Sequence, residues 1–328
     1  MVKYVRASIG SLAMLGIIPA RLEVAPTALY LMLCGPGRCA ANCAFCAQAR
    51  TSSARSDALS RVIWPKVKLE EVLRAAPKAR GLKRVCLQTL IYPGYLREAC
   101  EVVSSAKRCL KLPVSVAVHP LEPRDLEELK EAGADSVGIG LDAASEEVFE
   151  EVKGRKAGGP FSWKSALRTV EKAVEVFGPG NVTCHLVYGL GDSDEEFLRT
   201  VLALVSMGAR VSLFAFTPIK GTRMERRRPP SLRKYRAVQL ATYLAQRGEL
   251  SGSDLTFVNG ELSKISAPRS AVERAIFSCR PFVVQGCDGC NRPFYNEPPR
   301  GPYYNYPSLD FARRDLENIR KQLRSFLV

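Results

Sequence analysis

The sequence predicts an α/β fold, a (βα)8 barrel of the TIM type with a C-terminal extension. Three features point to it. Short β-rich apolar runs recur along the chain, amphipathic helical stretches lie between them, and a cysteine-rich loop directly follows the first run. Strand and helix in alternation is the pattern of a parallel sheet. A partial (βα)6 barrel with a separate tail is the alternative reading. The chain has 328 residues, 46% of them hydrophobic, which suffices for one large barrel core or two ordinary domains.

The expected strands are 27–33 (TALYLML), 83–88 (KRVCLQ), 113–118 (PVSVAV), 135–140 (DSVGIG), 182–187 (VTCHLV), 211–216 (VSLFAF), 255–259 (LTFVN) and 282–286 (FVVQG). Helical periodicity marks 123–132, 162–177 and 193–207, and a last helix is expected over 308–326. Ser193 and Glu196 form a capping box at the start of the third of these. The domain reading is an N-terminal extension over 1–26, a barrel over 27–290, and an overlapping C-terminal segment over 279–328.

Cys39, Cys43 and Cys46 form a Cys-x3-Cys-x2-Cys run with Phe45 before the last cysteine. Three thiolates on one loop can hold three irons of a [4Fe-4S] cube and leave the fourth iron open to a small molecule. Structural zinc fits less well, because it usually takes four ligands in two pairs. A disulfide framework does not suit a chain of this length with an odd count of 11 cysteines. The loop follows the first strand at its C-terminal end, where barrel enzymes keep their chemistry.

Lys and Arg total 48 against 33 Asp and Glu. This balance suggests an acidic partner. The densest basic stretch, Lys220 to Arg236, holds eight Lys/Arg opposed by Glu225. It lacks the aromatic interleaving of nucleic-acid binders, so a protein partner is expected and nucleic acid is not. No window of 18 apolar residues predicts a membrane span. The N-terminus lacks a clear cleavage site, and iron–sulfur chemistry favours a reducing compartment, so a cytoplasmic location is expected.

The cysteine loop resembles that of the radical S-adenosylmethionine (SAM) enzymes. The resemblance implies that the open iron chelates the amino and carboxylate groups of SAM. It further implies that reductive cleavage of SAM yields a 5'-deoxyadenosyl radical able to attack unactivated carbons. Over residues 25–290 the chain is similar to the biotin synthase branch, on Cys39-x3-Cys43-x2-Cys46-Ala47-Gln48, Gly140-Leu141-Asp142, Gly189-Leu190-Gly191-Asp192 and Lys220-Gly221-Thr222. By that resemblance Phe45 belongs to the SAM site and Asp142 binds the SAM ribose, with a helix N-cap as its plainer role. Gln88 and Thr89 grip the amino group, and the turn at Gly189 and Gly191 lets backbone approach the adenine. The family's arginine for the SAM carboxylate has no clear match, and Arg155 and Lys164 are the substitutes offered.

Biotin synthase holds a second cluster inside its barrel on three cysteines and an arginine. Cys86 matches the first of these. The other positions read as Val116, a Cys184 displaced by one residue, and Glu261, so that site looks dismantled. A different set, Cys279, Cys287 and Cys290, suggests an auxiliary cluster, with Gly286 and Gly289 allowing a tight wrap. If 282–286 is a strand, Cys287 and Cys290 lie on its rim and face the first cluster across the barrel mouth. Ser278, Cys34 or an external group is the candidate fourth ligand. Cys100, Cys109, Cys184 and His185 read as packing residues, and His119 as more site-like. The Tyr/Pro-rich tail from Tyr295 to Pro307 reads as a cover for the mouth or a passive wrap.

A biotin-synthase-like barrel with a new auxiliary cluster is similar to the lipoyl synthases, and most similar to their two-protein archaeal form. That resemblance implies sulfur insertion into an octanoyl chain on a lipoyl carrier domain, with the auxiliary cluster as sulfur donor. A second radical SAM protein and an external electron donor are then the expected partners. The alternatives are biotin synthase, another radical SAM enzyme whose second cluster carries electrons or binds substrate, and a non-catalytic iron–sulfur or zinc scaffold.

Overall fold

The computed structural model describes residues 2–327. Its main sheet has eight strands. Six of them run parallel: β2 (Ala28–Leu33), β6 (Arg84–Gln88), β7 (Val114–Val118), β8 (Ser136–Asp142), β9 (Val182–Tyr188) and β10 (Arg210–Ala215). Two N-terminal strands, β1 (Tyr4–Ala7) and β5 (Lys66–Lys68), extend the β2 edge in antiparallel fashion. The order is β5-β1-β2-β6-β7-β8-β9-β10, so β5 and β10 are the edges of a partial barrel. Two-residue strands β3 (Ala58–Leu59) and β4 (Val62–Ile63) form a separate ribbon between the cysteine loop and β5.

The parallel strands are the six that the apolar runs predict, each displaced by two residues at most. The sequence also implies two more barrel strands, and here the structure differs. Residues 255–259 become β11 (Leu255–Val258), which pairs with β12 (Glu261–Ile265) in a hairpin outside the main sheet. Residues 282–286 are not a strand: Arg280–Phe282 is a 3-10 turn, and Val283 makes a single bridge to Tyr306. The four residues between Pro281 and Gly286, Phe-Val-Val-Gln, have no periodicity of their own to choose a strand. They bury Phe282 fully by another route, described below. The expected extension over 1–26 is also not separate, since β1 pairs with both β2 and β5.

The crossovers are helices at Tyr95–Leu110, Pro123–Glu131, Trp163–Phe177 and Asp194–Ser206, with Leu232–Ala245 after β10. The capping box of Ser193 and Glu196 is present, and Ser162 with Ser165 makes a second. The expected C-terminal helix is broken at Asp315 into Leu309–Arg314 and Leu316–Leu323. Asp315 accepts a bond from the Tyr306 hydroxyl there. Fully buried Arg236, on the helix after β10, donates to the carbonyls of Tyr303 and Tyr304 and holds the tail down. Among the described residues, no helix is long and apolar enough to cross a membrane.

Strand periodicity builds the interior. On each parallel strand alternate residues face a central cavity of about 230 Å³: Tyr30 and Met32, Cys86 and Gln88, Ser115 and Ala117, Gly138 and Gly140, His185 and Val187, Ser212 and Phe214. Their neighbours, such as Val85, Val116, Ile139, Cys184 and Val211, pack outward and are fully buried. Cys184 therefore does turn to the outer face, as its one-residue displacement predicts, while His185 takes the inner position. Val116 faces outward too, so Ser115 and Ala117 are the inner residues of that strand.

Candidate functional site

The cavity has a thiol set at each end. The first follows β2 at the C-terminal end of the strands. Cys39, Cys43 and Cys46 all line the cavity with Phe45. The loop is stitched on one side to the segment after the helix Glu146–Val152, through Ala44 N to Val152 O (2.7 Å), Asn42 Nδ2 to Ala157 O (2.8 Å) and Arg50 Nη2 to Gly158 O (3.1 Å). On the other side it meets the Lys220-Gly221-Thr222 turn, where Ser53 N donates to Gly221 O at 2.9 Å. A side chain at Gly221 would lie 2.4 Å from the Ala54 nitrogen, so glycine is required for this close approach.

Backbone amides already point at sulfur: Ile91 N to Cys39 Sγ (3.2 Å) and Gln48 N to Cys46 Sγ (3.4 Å). Burial pushes the Cys46 thiol up to about 12, the Gln48 amide opposing it, and raises Cys39 and Cys43 as well. Thiols in this setting are neutral until a metal ionises them. Three thiols on one loop, Cys39 and Cys43 buried and Cys46 half-buried, with N–H donors to two of the sulfurs, fit a three-cysteine [4Fe-4S] cluster.

Thr89, just after β6, and Asp142, at the end of β8, line the cavity at this end, while Gln88 lines it too but turns its amide to Cys86 Sγ. Asp142 ends β8 at a bulge and has φ +68°, a left-handed conformation that aspartate tolerates. Its Oδ2 accepts from Lys153 Nζ at 2.6 Å, and the lysine side chain is only 2% exposed. Burial alone would lower the Lys153 pKa, but Asp142 and the neighbouring thiols outweigh it and hold it above its usual value. His119 also lines the cavity, stacked on Phe161, and its buried Nδ1 has no hydrogen-bond partner among the described residues. Burial lowers its pKa to about 3, so the imidazole is neutral.

Four expectations for the SAM end need correction. Arg155 and Lys164 are exposed and do not line the cavity. Gly189 (φ +104°) and Gly191 (φ +142°) do not line it either; they make a tight turn packed on Pro230 and Val148. Asp192 beyond them caps Ala144 and Ser145 and so steadies the chain after Asp142.

The second thiol set departs further from expectation. Cys287 and Cys290 line the cavity, but with Cys86 rather than Cys279. Cys279 is the left-handed C-cap of the helix Arg269–Ser278, fully buried in the core and outside the cavity lining. Ser278 is spent on Ala275 O and Arg280 N, and Cys34 does not reach the cavity.

The Cys287–Cys290 loop also does not face the first set across the mouth. It plugs the opposite, N-terminal end of the strands. Thr27 before β2 donates to Gly289 O (2.5 Å), Arg84 at the start of β6 donates to Asp288 O (2.5 Å), and Arg210 at the start of β10 pairs with Asp288 (2.6 Å). The expected glycine wrap is present. Gly286 has φ +139°, and a Cβ there would lie 2.7 Å from Ser212 Oγ.

Polar groups cluster around these thiols. Gln88 Nε2 donates to Cys86 Sγ (3.1 Å), Tyr30 Oη lies 3.3 Å from Cys290 Sγ, and Thr183 Oγ1 lies 3.5 Å from Cys287 Sγ. Arg292 N donates to Tyr30 Oη at 2.8 Å, and its guanidinium lies 3.9 Å from the Phe214 ring centre. Burial raises Cys86 and Cys290, while Arg84 and Arg292 act on both thiols in the opposite sense. The expected arginine position, Glu261, is a surface residue paired with Lys234.

Sequence reasoning missed Lys153, Tyr30, Arg84 and Arg292. Arg292 was within sight, two residues after Cys290, but nothing local shows that its loop enters the barrel base. Lys153 ends an acidic run, Glu-Glu-Val-Phe-Glu-Glu-Val-Lys, and looks like a solvent-facing helix terminus.

Similarity to known proteins agrees with the first site. The sequence profile of the radical SAM superfamily matches residues 35–204. Two curated relatives are biotin synthases, from Sulfurihydrogenibium sp. (25% identity over 193 residues, 57% of this chain and 54% of the relative) and Citrifermentans bemidjiense (29% over 196 residues, 58% and 56%). The chain thus spans about half the length of these relatives. Among solved structures, the FeFe-hydrogenase maturase HydG from Carboxydothermus hydrogenoformans superposes with a TM-score of 0.53 at 22% identity, covering 68% of this chain and 51% of that one. Methylornithine synthase gives 0.50 at 16% identity over 64% and 59%. These two likenesses concern the fold.

Proposed function

Since this chain belongs to the radical SAM superfamily, we propose that it inserts sulfur into an octanoyl chain carried by a lipoyl carrier domain, as one half of a two-protein lipoyl synthase. The observation behind this reading is the pair of thiol sets at opposite ends of one mainly apolar cavity. The donors of the auxiliary cluster in this reading are Cys86, Cys287 and Cys290. When bound, the first cluster with SAM supplies a radical able to break an unpolarised C–H bond, and the auxiliary cluster supplies sulfide.

The chain's own residues do the rest. Cys39, Cys43 and Cys46 hold one group, and Thr89 and Asp142 position SAM beside it. Met32, Leu90, Val118, Val187 and Phe216 give the cavity apolar walls that suit an acyl chain and exclude water. Fixing the carbon near the sulfur source is the main service a protein performs for such a step. At the base, Arg84 and Arg292 offset the negative charge of thiolates, and the Gln88 and Tyr30 side chains are within hydrogen-bonding reach of sulfur.

The basic turn after β10 supports an acidic carrier as partner. Lys220, Arg226 and Arg228 are exposed beside the cysteine loop, where they would steer an acidic domain toward the cavity. The stretch is not uniformly a surface patch, since Arg236 is core. A second radical SAM protein and an external electron donor complete the proposed set of partners.

The test is a single turnover of anaerobically reconstituted protein with SAM, reductant and an octanoyl-lysyl peptide, read by mass spectrometry. Gain of one sulfur with loss of the auxiliary cluster is expected. SAM cleavage with no sulfur-bearing product would contradict the reading. Biotin synthesis is the second reading, supported by the names of the curated relatives.

A further inference from the structure

We propose that Lys153 is the cation that binds the carboxylate of SAM. The inference rests on superfamily membership and not on the acyl-chain reading. SAM carries a carboxylate that needs a positive partner inside the barrel. Neither of the cations suggested by the sequence reaches the cavity: Arg155 and Lys164 are both exposed. Lys153 is 2% exposed, lines the cavity and acts electrostatically on Cys39, Cys43 and Cys46 alike.

Its place is fixed by the cysteine loop itself. Val152, directly before it, accepts from Ala44 N, and Ala157 accepts from Asn42 Nδ2. Residues 42 and 44 flank Cys43, so the backbone around the lysine is tied directly to the cysteine loop. Behind it the backbone is closely packed, because a Cβ on Gly159 would lie 2.0 Å from the Lys153 carbonyl.

The ammonium has three N–H donors. One goes to Gly140 O and one to Asp142 Oδ2. The third has no protein acceptor among the described residues. A carboxylate in the cavity would take it, in a charge-assisted bond stronger than a neutral one. Asp142 meanwhile keeps its Oδ1 for a ribose hydroxyl. One ion pair would then serve both ends of SAM, the ammonium at the amino-acid end and the carboxylate at the sugar. Arginine is the usual choice for bidentate carboxylate binding; here a lysine takes the place, its ammonium held by Gly140 O and Asp142.

The test compares SAM with decarboxylated SAM on the cluster-loaded full chain, as dissociation constants measured by equilibrium dialysis without reductant. Wild-type protein should prefer SAM. In K153M and in the polar, neutral K153Q, that preference should shrink by about tenfold to a hundredfold, the range for one charge-assisted bond. R155M and K164M should keep the wild-type preference. If Lys153 serves only as counter-ion to Asp142, both ligands weaken equally, the ratio stays at the wild-type value, and the proposal falls. K153Q keeps hydrogen-bonding capacity at the site, so it decides the matter if K153M does not hold its cluster.

Discussion

The two ends of the barrel hold thiols by opposite strategies. At the C-terminal end, three cysteines lie within eight residues of one loop, and backbone amides of Ile91 and Gln48 face their sulfurs. At the N-terminal end, Cys86 comes from a central strand and Cys287 and Cys290 arrive 200 residues later, with side chains, Gln88, Tyr30 and Thr183, beside the sulfurs. The charges differ too. Lys153 at the first site is already paired with Asp142, whereas Arg84 and Arg292 both bear on the second. A loop that carries its own ligands can form its site early in folding. A site that waits for a distant plug forms only when the barrel closes. Under the proposed function, the first end would keep its group and the second would hold one that is consumed and rebuilt.

The comparison breaks most readily at the first loop. Alanine at any of Cys39, Cys43 or Cys46 should abolish SAM cleavage, measured as 5'-deoxyadenosine release, while the protein keeps iron at its other end. Next, C86A, C287A and C290A should each lower the iron content from about eight to about four per chain, the loss of one cube. They should keep SAM cleavage and lose sulfur insertion. C279A should change neither.

A smaller effect is expected from G286A. Its Cβ would collide with Ser212 and the φ of +139° suits only glycine, so the plug should loosen at a cost of about 1–3 kcal/mol. A lowered melting temperature with reduced occupancy of the second site and a normal first site is the expected pattern. Smallest is the surface term. Carrier affinity should fall steadily as salt rises, because exposed charges are screened. An affinity independent of salt would remove the basic turn from the account.

Much of this was legible in the sequence, and the exceptions have physical causes. The six parallel strands were readable because buried strands are near-continuous apolar runs. The first site was readable because its ligands are contiguous. Cys287 and Cys290 were readable as a pair, but the thiol that lines the cavity beside them, Cys86, was not readable as its companion. Cys279 is nearer in sequence, yet it turns into the core as a helix cap, and Cys86 is inward by strand parity. The run 282–286 looked like a strand because length and composition alone do not separate a strand from a buried plug. β1 and β5, with four and three residues, are too short to announce themselves. Lys153 was hidden because its burial depends on a loop 110 residues earlier in the chain.

The most direct test of the two-ended site is Mössbauer spectroscopy of the isotopically enriched, reconstituted triple variant C39A/C43A/C46A, alone and with one further substitution. A residual [4Fe-4S] signal that survives C279A and disappears with C86A is the predicted result. A signal lost with C279A but kept with C86A, or no residual cluster at all, would contradict it.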